Sequence, residues 1–531
     1  MKWYIALVSS TFCLSAHAQT GWMPLSRDVE RPFATGLGHW GAEQHTAIRP
    51  YRINEVRSTD PKDTIRPSAI LPVLDKWAGA RNGRTFRWGP LVDASFIYDL
   101  DQPDPVRYKA GAGAWFDLDA GSKLNFHLDA QGWSERFPFY LDTLVRSTQV
   151  TPGEGYAYGD APNYTHYDLN GHISWDPGKH FNLTLGKGRN SFGEGYRSLF
   201  LSSEAYSYPY LRVTTSVWHI KYVNLFAQMN DIRGAKGDPG EFQKKYTSMH
   251  YLSWNASKRL NVALFEAIVW SAGDSAYPRG FDMNYLNPII FYRPVEFNIG
   301  SPDNALLGGA INVKVGRHTL IYTQVLLDEF LLTEVRAGNG WYANKQAAQV
   351  GVVSRNAFGV DGLMLRAEWN IVRPFMYTHS DTRQNYSHMG QPLAHPYGSN
   401  FQEAIVQAEW AHGRWLHSAR TSMAWLGSDT TFSQGNNIFR PESDRVRGPN
   451  GFLRDFGYRI GDVAGYTLFH AELRTGFLLD PSTGTYLDAS WMFRMRTPET
   501  GNAEIANVFR VGVACYFRDR HPEQEVRYTL E

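Results

Sequence analysis

The sequence predicts an all-β chain: a transmembrane, antiparallel outer-membrane β-barrel of about eighteen strands with long extracellular loops and a short N-terminal plug segment. Three observations carry this. First, apolar alternation recurs in segments about ten residues long, the length at which a tilted strand crosses a membrane. In NALLGGAINVKVGRHTLIYTQVLLD, the residues Ala305, Leu307, Gly309, Ile311, Val313 and Val315 share one parity, while Asn304, Asn312 and Lys314 fall on the other. Gly316-Arg317-His318 then reverses the chain, giving a hairpin with one apolar face, although Leu306 interrupts the polar one. Second, short links alternate with long ones along the chain, as periplasmic turns and external loops do in bacterial barrels. Third, no stretch beyond the N-terminus holds about 18 consecutive apolar residues, which excludes a helical span. Yet the chain carries 17 Trp, 29 Tyr, 30 Phe and 48 Gly, the mixture that aromatic girdles and alternating strands produce. A secreted β-sandwich or propeller is the competing class.

In chain order, residues 1–18 read as a signal peptide: Lys2 gives a positive start, Tyr4 to Leu14 an apolar core, and Ala16-His17-Ala18 a cleavage site before Gln19. Phe12, immediately before Cys13, is too bulky for a lipoprotein signal, so Cys515 is the one cysteine expected in the mature chain. Residues 19–83 are expected to form a periplasmic cap or plug. They are broken by Pro24, Pro32, Pro50, Pro61, Pro67 and Pro72, and only Ala69 to Ala80 reads as a short helix. The barrel is assigned to 84–517. Its strands are expected near 84–98, 106–118, 122–131, 165–175, 180–186, 211–218, 220–229, 246–254 and 260–270. The second half continues near 304–315, 318–328, 345–354, 362–370, 401–411, 413–425, 463–477, 485–496 and 505–517. No turn residue marks the reversal at His219-Ile220, so a sixteen-stranded count is the alternative. An even count beginning in the periplasm returns the C-terminus there. Phe517 ends the last strand in the manner of a barrel-assembly signal, and 518–531 form a polar tail.

Short links fall at Ala120-Gly121, Asp176 to Lys179, Ala256 to Lys258, Gly316-Arg317, His412-Gly413 and Asp480 to Gly484. Long links fall near 132–164, 187–210, 230–245, 271–303, 329–344, 371–400 and 426–462. Parity assigns the faces: Leu363, Leu365, Ala367 and Trp369 oppose Met364, Arg366, Glu368 and Asn370, and Leu487, Ala489, Trp491, Phe493 and Met495 oppose Asp488, Ser490, Arg494 and Arg496. One face meets lipid. The other gathers charges of both signs, among them Glu403, Gln407, Glu409, Arg420, His470, Glu472, Arg474 and Arg510, as an ion-paired or wet lumen would. Removing Lys2 with the signal leaves 52 basic residues (53 − 1) against 52 acidic ones, and no basic run or groove-reading helix appears, so nucleic acid is excluded as a partner.

The long loops hold the distinctive sequence. Asn284 to Gly308, with its prolines, Arg293, Glu296 and Asp303, is expected to fold inward. Asn385 to Asn400 and Lys187 to Tyr210 mix aromatics with polar groups, a combination that suits sugars: rings stack on a pyranose while carboxylates, amides and guanidinium groups hydrogen-bond its hydroxyls. Mutual packing that closes the mouth accounts for the same composition. His379, Asp381, His388 and His395 match no compact metal spacing, and Pro392 and Pro396 forbid a helical pair, so neither metal nor cofactor is expected. Gly186-Lys187-Gly188 and Gly193-Glu194-Gly195 lack the strand-to-helix context of a phosphate loop, and no nucleophile elbow supports a barrel hydrolase.

At these loops the sequence resembles the capsule assembly protein Wzi family of outer-membrane barrels, and especially its gliding-motility relatives of the RemB type. The first resemblance rests on Gly186-Lys-Gly-Arg189 through Ser198-Leu-Phe-Leu-Ser202 to Pro209. The second rests on Asn284-Tyr-Leu-Asn-Pro-Ile-Ile-Phe-Tyr-Arg-Pro-Val-Glu296, Ser301-Pro-Asp-Asn304 and Gln391-Pro-Leu-Ala-His-Pro396. It runs from about Arg84 to Phe517. It implies an eighteen-stranded barrel at the cell surface that holds capsular polysaccharide without catalysis. It also implies an N-terminal helical plug, to which the proline-broken 19–83 corresponds poorly, and for the gliding relatives a motility or adhesion role with export or motility partners.

The reading is therefore a non-enzymatic protein of the Gram-negative outer membrane, in contact with lipid and the barrel-assembly machinery, that binds or organises surface polysaccharide. Its candidate binding residues are Arg189, Glu194, Arg197, Arg293, Glu296, Asp303, Asn304, His395 and Glu403, with Tyr208, Tyr292 and Trp341 as stacking platforms. A diffusion channel or substrate-selective porin is the alternative.

Overall fold

The computed structural model describes residues 21–39, 42–57, 84–235, 238–273, 280–290, 303–329, 331–449, 451–480, 483–516 and 518. The signal peptide, the helix expected at Ala69 to Ala80, Phe517 and the tail beyond Arg518 lie outside them. So do Tyr292, Arg293 and Glu296.

The strands close into one antiparallel barrel, each paired with its sequence neighbours. In chain order they are β1 (Arg84–Asp99), β2 (Val106–Ala120), β3 (Leu124–Arg136), β4 (Tyr164–Gly178), β5 (Phe181–Gly188) and β6 (Tyr208–Val217). There follow β7 (Ile220–Asp231), β8 (Gln243–Asn255), β9 (Leu260–Ser271), β10 (Asn304–Val315), β11 (Thr319–Leu327) and β12 (Gln346–Arg355). The last are β13 (Leu363–Val372), β14 (Phe401–His412), β15 (Trp415–Leu426), β16 (Tyr466–Asp480), β17 (Thr485–Pro498) and β18 (Glu504–Cys515). Pairing of Asp93 with Ala514 and of Asp99 with Val508 joins β1 to β18 and closes the wall. Closure removes every free edge, the condition for strands in lipid.

The count is eighteen, because β6 and β7 do form a hairpin, with Val217 paired to Ile220. The two-residue turn uses Trp218 at φ 56°, a left-handed conformation on a residue seldom found there. No glycine signals it.

Parity holds around the barrel. Trp88, Phe96, Leu169, Leu185, Leu307, Ile311, Val325, Val350, Val406, Leu473 and Val511 are exposed on the outside. Asp93, Asp129, Asn170, Gln324, Glu368, Glu403 and His470 are buried on the inside. No described helix is long and apolar enough to cross a membrane, so the strands make the crossing.

The N-terminal segment departs from its sequence reading. It forms helices α1 (Arg27–Gly38) and α2 (Ile53–Arg57) and occupies the lumen at the end where the short turns lie. Pro32 falls inside α1, where it removes one helical hydrogen bond. Tertiary packing outweighs that loss: Val29, Phe33 and Leu37, one face of the helix, bury among Leu91, Trp115, Leu416 and Tyr486 of the wall. Polar contacts then tie the segment to strands all round the barrel. The Trp22 indole donates to Thr184 (3.2 Å), Arg52 pairs with Asp176, and Lys221 pairs with Glu55 (2.7 Å). Lys314 donates to the Ala42 carbonyl (2.8 Å), Arg31 pairs with Glu409 (2.8 Å), and Arg474 with Asp28 (3.3 Å). A plug is present although prolines punctuate its sequence.

The part of Asn284 to Gly308 that precedes β10 also departs from the expected inward fold. Its described part lies on the outside of the barrel rather than folded inward: the Tyr285 ring packs 4.7 Å from Trp270, which shares the outward parity of Ile268 and hence of its partner Ala305.

Candidate functional site

The loop between β5 and β6 turns into the lumen and meets the plug. Ser191–Phe192 pair antiparallel with Ile48–Arg49, so plug and loop share a short ladder. A loop buried this deeply needs partners for its backbone, and polar side chains of the wall supply them. The Tyr196 and Arg197 amides donate to Glu368 (2.6 and 3.1 Å), the Leu199 amide donates to Gln324 (2.8 Å), and Gln349 donates to the Arg197 carbonyl (2.7 Å). Phe192 and Phe200 stack on Tyr251 and Phe265 at 5.0 and 4.9 Å. Gly193 explains the glycine pair read in the sequence: it holds φ +122°, and a Cβ there would come within 2.0 Å of the Gln324 amide nitrogen. The motif serves close packing.

Beside this loop lies a fully buried charged group. Glu403 accepts from His395 Nε2 (2.7 Å) and from Asn370 (3.3 Å), with the Arg197 guanidinium at 4.0 Å. Arg197 also lies 3.8 Å from Glu204 and near the Tyr196 and Tyr397 rings.

Histidines of the mouth loops are held neutral by one device. His395 Nδ1 accepts from the Tyr397 amide (3.1 Å), His388 Nδ1 from the Asn230 amide (2.9 Å), and His379 Nδ1 from the Asp381 amide (3.2 Å). A proton on Nδ1 would set two donors face to face. Burial lowers all three from the ordinary histidine value, pushing His388 down to about 3. A histidine whose folded pKa lies below its unfolded one loses stability as pH falls through the ordinary value. Lowering pH from 7.5 to 5 is therefore expected to cost about 2 kcal/mol at His388 alone. Thermal unfolding of the folded barrel, followed by its shifted gel mobility at the two pH values, measures the loss.

The mouth is pinned across its width. Asp231 and Arg233 clamp one another, Arg233 reaches the Thr382 carbonyl (3.0 Å), and Asp381 clamps Arg383 (2.7 Å). On the far side Lys345 pairs with Glu442 (2.5 Å), and Arg445 stacks 3.5 Å over the Tyr342 ring. Asp328, beside Lys345, is buried, which pushes its carboxyl up to about 7. Phe432, Phe452 and Phe456 remain exposed along 427–465, and the carbonyl of Asp455, beside Phe456, accepts from the amide of Tyr342, the neighbour of half-buried Trp341 (2.9 Å).

The described candidates thus divide. Arg189 (reaching the Gly153 carbonyl), Arg197, Tyr208 (accepting from the Asn190 amide, 3.3 Å), Asn304 (donating to the Gln384 carbonyl, 2.9 Å), His395 and Glu403 are buried and engaged with protein groups. Glu194 accepts from Thr46 of the plug. Asp303 accepts from the Tyr285 hydroxyl (2.5 Å) outside the barrel, away from the rest. Trp341 alone among these twelve residues is described at the mouth surface. The wall residues Gln324, Gln349, Glu368 and Asn370 were not singled out, because alternation marks them only as lumenal. Among the described residues, Glu135, Glu154 and His166 could together hold a metal ion. Lys109 Nζ lies 2.7 Å from Glu154 and 3.4 Å from Glu135, so the chain's own ammonium already pairs with both carboxylates of that cluster.

A closed eighteen-stranded barrel with an apolar exterior and a filled polar lumen defines a transmembrane protein of the outer-membrane class. No protein-family model matches the chain, and no curated protein does. Among solved structures it is similar to Wzi of Escherichia coli, described as an outer membrane protein involved in group 1 capsule assembly and a carbohydrate-binding β-barrel, with a TM-score of 0.57 and 13% identity over 93% of this chain and 99% of that one. Looser likenesses, which carry no argument, link it to Pseudomonas aeruginosa OprD (TM-score 0.43, 9% identity, 81% of this chain and 94% of that one) and OccK1 (TM-score 0.44, 7% identity, 81% and 98%). At these identities the likeness to Wzi shows the fold.

Proposed function

We propose that the protein is a closed, non-catalytic barrel that binds or organises polysaccharide at the cell surface through its loop-covered mouth. The observation that carries this is the filled lumen: a plug ion-paired to strands around the wall, joined by its own ladder to an inward loop whose backbone those strands satisfy. A barrel so occupied is suited to presenting a surface rather than passing solute. The carbohydrate-binding barrel of the same build favours sugar as what that surface meets. The mouth offers Trp341, Phe432, Phe452 and Phe456 as stacking faces among pinned arginine and aspartate groups, suitable chemistry for a pyranose. Capsule assembly would use that surface directly, and export or gliding-motility partners would meet it there.

The test is retention of surface polysaccharide on intact cells. Trp341→Ala is expected to remove a stacking face worth about 1 kcal/mol, a roughly five-fold loss of affinity, in a barrel that still folds. Unchanged retention by Trp341→Ala combined with Phe452→Ala and Phe456→Ala contradicts the reading.

A further inference from the structure

The two rims of the barrel differ in charge. On the tight turns at the plug end, the exposed cations are Lys123 (β2 to β3), Lys179 (β4 to β5), Lys258 and Arg259 (β8 to β9), Arg317 (β10 to β11) and Arg414 (β14 to β15). Asp361, between β12 and β13, is the one exposed acid among the described residues of those turns. The plug adds exposed Glu43, whose carbonyl accepts from Asn255 (2.7 Å), so the rim keeps a clear excess of positive charge. The mouth is mixed instead: exposed Asp104, Asp160 and Glu241 stand with exposed Arg146, Lys244 and Arg336.

The cations are spread rather than gathered in one patch. Their turns follow β2, β4, β8, β10 and β14, which fall at intervals round the closed wall. Aromatic side chains accompany them on the outward parity: Trp175 and Phe181 are exposed on either side of Lys179, Trp254 before Lys258, and Trp415 next to Arg414. Two turns carry an aromatic at the tip itself, Trp218 at 77% and Phe358 at 91% exposed, costly in water but suited to a headgroup layer. Such a row marks the edge of the apolar slab. Cations a few residues beyond it, at about 3.3 Å per residue, stand at the depth of lipid phosphates, with their aliphatic stems along the apolar surface.

We propose that this ring binds the phosphates of anionic phospholipids, so that the barrel selects acidic lipid at its short-turn rim and is held there at fixed depth. The distribution identifies the occupant. A soluble acidic partner needs its cations on one face, whereas a lipid leaflet surrounds the barrel and meets every turn. The ring also continues the lipid-facing wall, sharing its aromatic row. The attraction is electrostatic, about five-fold in local lipid preference for each cation, and salt screens it.

The test uses the full-length protein folded into phosphatidylcholine bilayers with trace lipid spin-labelled on the acyl chain, the motionally restricted fraction being read by electron spin resonance. At about 0.05 M salt, phosphatidylglycerol is expected to associate about three- to five-fold more strongly than phosphatidylcholine, and at about 1 M salt about equally. Combining Lys123→Gln, Lys179→Gln, Lys258→Gln, Arg317→Gln and Arg414→Gln is expected to remove most of the preference. Combining Arg146→Gln, Lys244→Gln and Arg336→Gln at the mouth is expected to leave it in place. Equal association of the two lipids with the unaltered protein overturns the proposal, whether or not either variant folds. A preference that survives high salt, that the turn variant keeps or that the mouth variant loses overturns it as well. Binding of soluble heparin without any lipid preference also overturns it, and assigns the ring to a soluble acidic partner.

Discussion

Glu403→Ala is expected to destabilise the folded barrel by about 3–5 kcal/mol, the usual cost of removing one member of a buried charged group. The reason is local. Glu403 is fully buried, accepts from His395 and Asn370, and faces the guanidinium of Arg197, itself 1% exposed. Its loss strips His395 of the acceptor that orients its ring and leaves positive charge near the turn of the inward loop. Glu403→Gln keeps an acceptor for His395 and is expected to lose less. Denaturant unfolding in detergent, followed by tryptophan fluorescence, measures both. A loss under about 1 kcal/mol for the alanine variant would put the group outside the set of interactions that hold the loop.

The second large effect belongs to the plug. Asp28 sits between Arg31 (2.7 Å) and Arg474 (3.3 Å), and Arg31 continues to Glu409 (2.8 Å), so one carboxylate couples helix α1 to two arcs of the wall. Asp28→Ala leaves both guanidinium groups beside an apolar side chain in a buried setting, again costing about 3–5 kcal/mol. That energy falls on the contact between plug and wall rather than on the strand ladder. The expected result is a barrel of normal folded mobility whose residues 21–57 become cleavable by protease added from the periplasmic side, with brief open events in a planar bilayer. Protection equal to that of the unaltered protein would show that apolar packing of Val29, Phe33 and Leu37 suffices alone.

Much of the barrel could be read from the sequence because lipid imposes a strict rule on it. One face of every strand must be apolar, and the residues between Leu307 and Val315 announce that face without help from any other part of the chain. The turn at Trp218 was harder, since an exposed tryptophan takes a conformation usually left to glycine or asparagine. Helix α1 was hidden for a similar reason: Pro32 is unfavourable locally, and the packing that outweighs it involves Leu91, Trp115, Leu416 and Tyr486, distant in sequence. The loops were legible in composition but not in direction. An arginine that will face sugar and one that will face Glu403 look alike, and parity does not extend past a strand's end. Segment 280–290 shows the limit clearly, because Tyr285 and Pro288 fit an inward loop as well as an outer cover.

The central claim, a barrel whose lumen is occupied so that its mouth acts as a surface, is tested most directly by single-channel recording of the purified, detergent-folded protein in a planar bilayer. Plug and inward loop together predict an insulating barrel, with no stable conductance before or after addition of surface polysaccharide. Long-lived open levels that small sugars block would contradict the account and assign the protein to the substrate-selective pores.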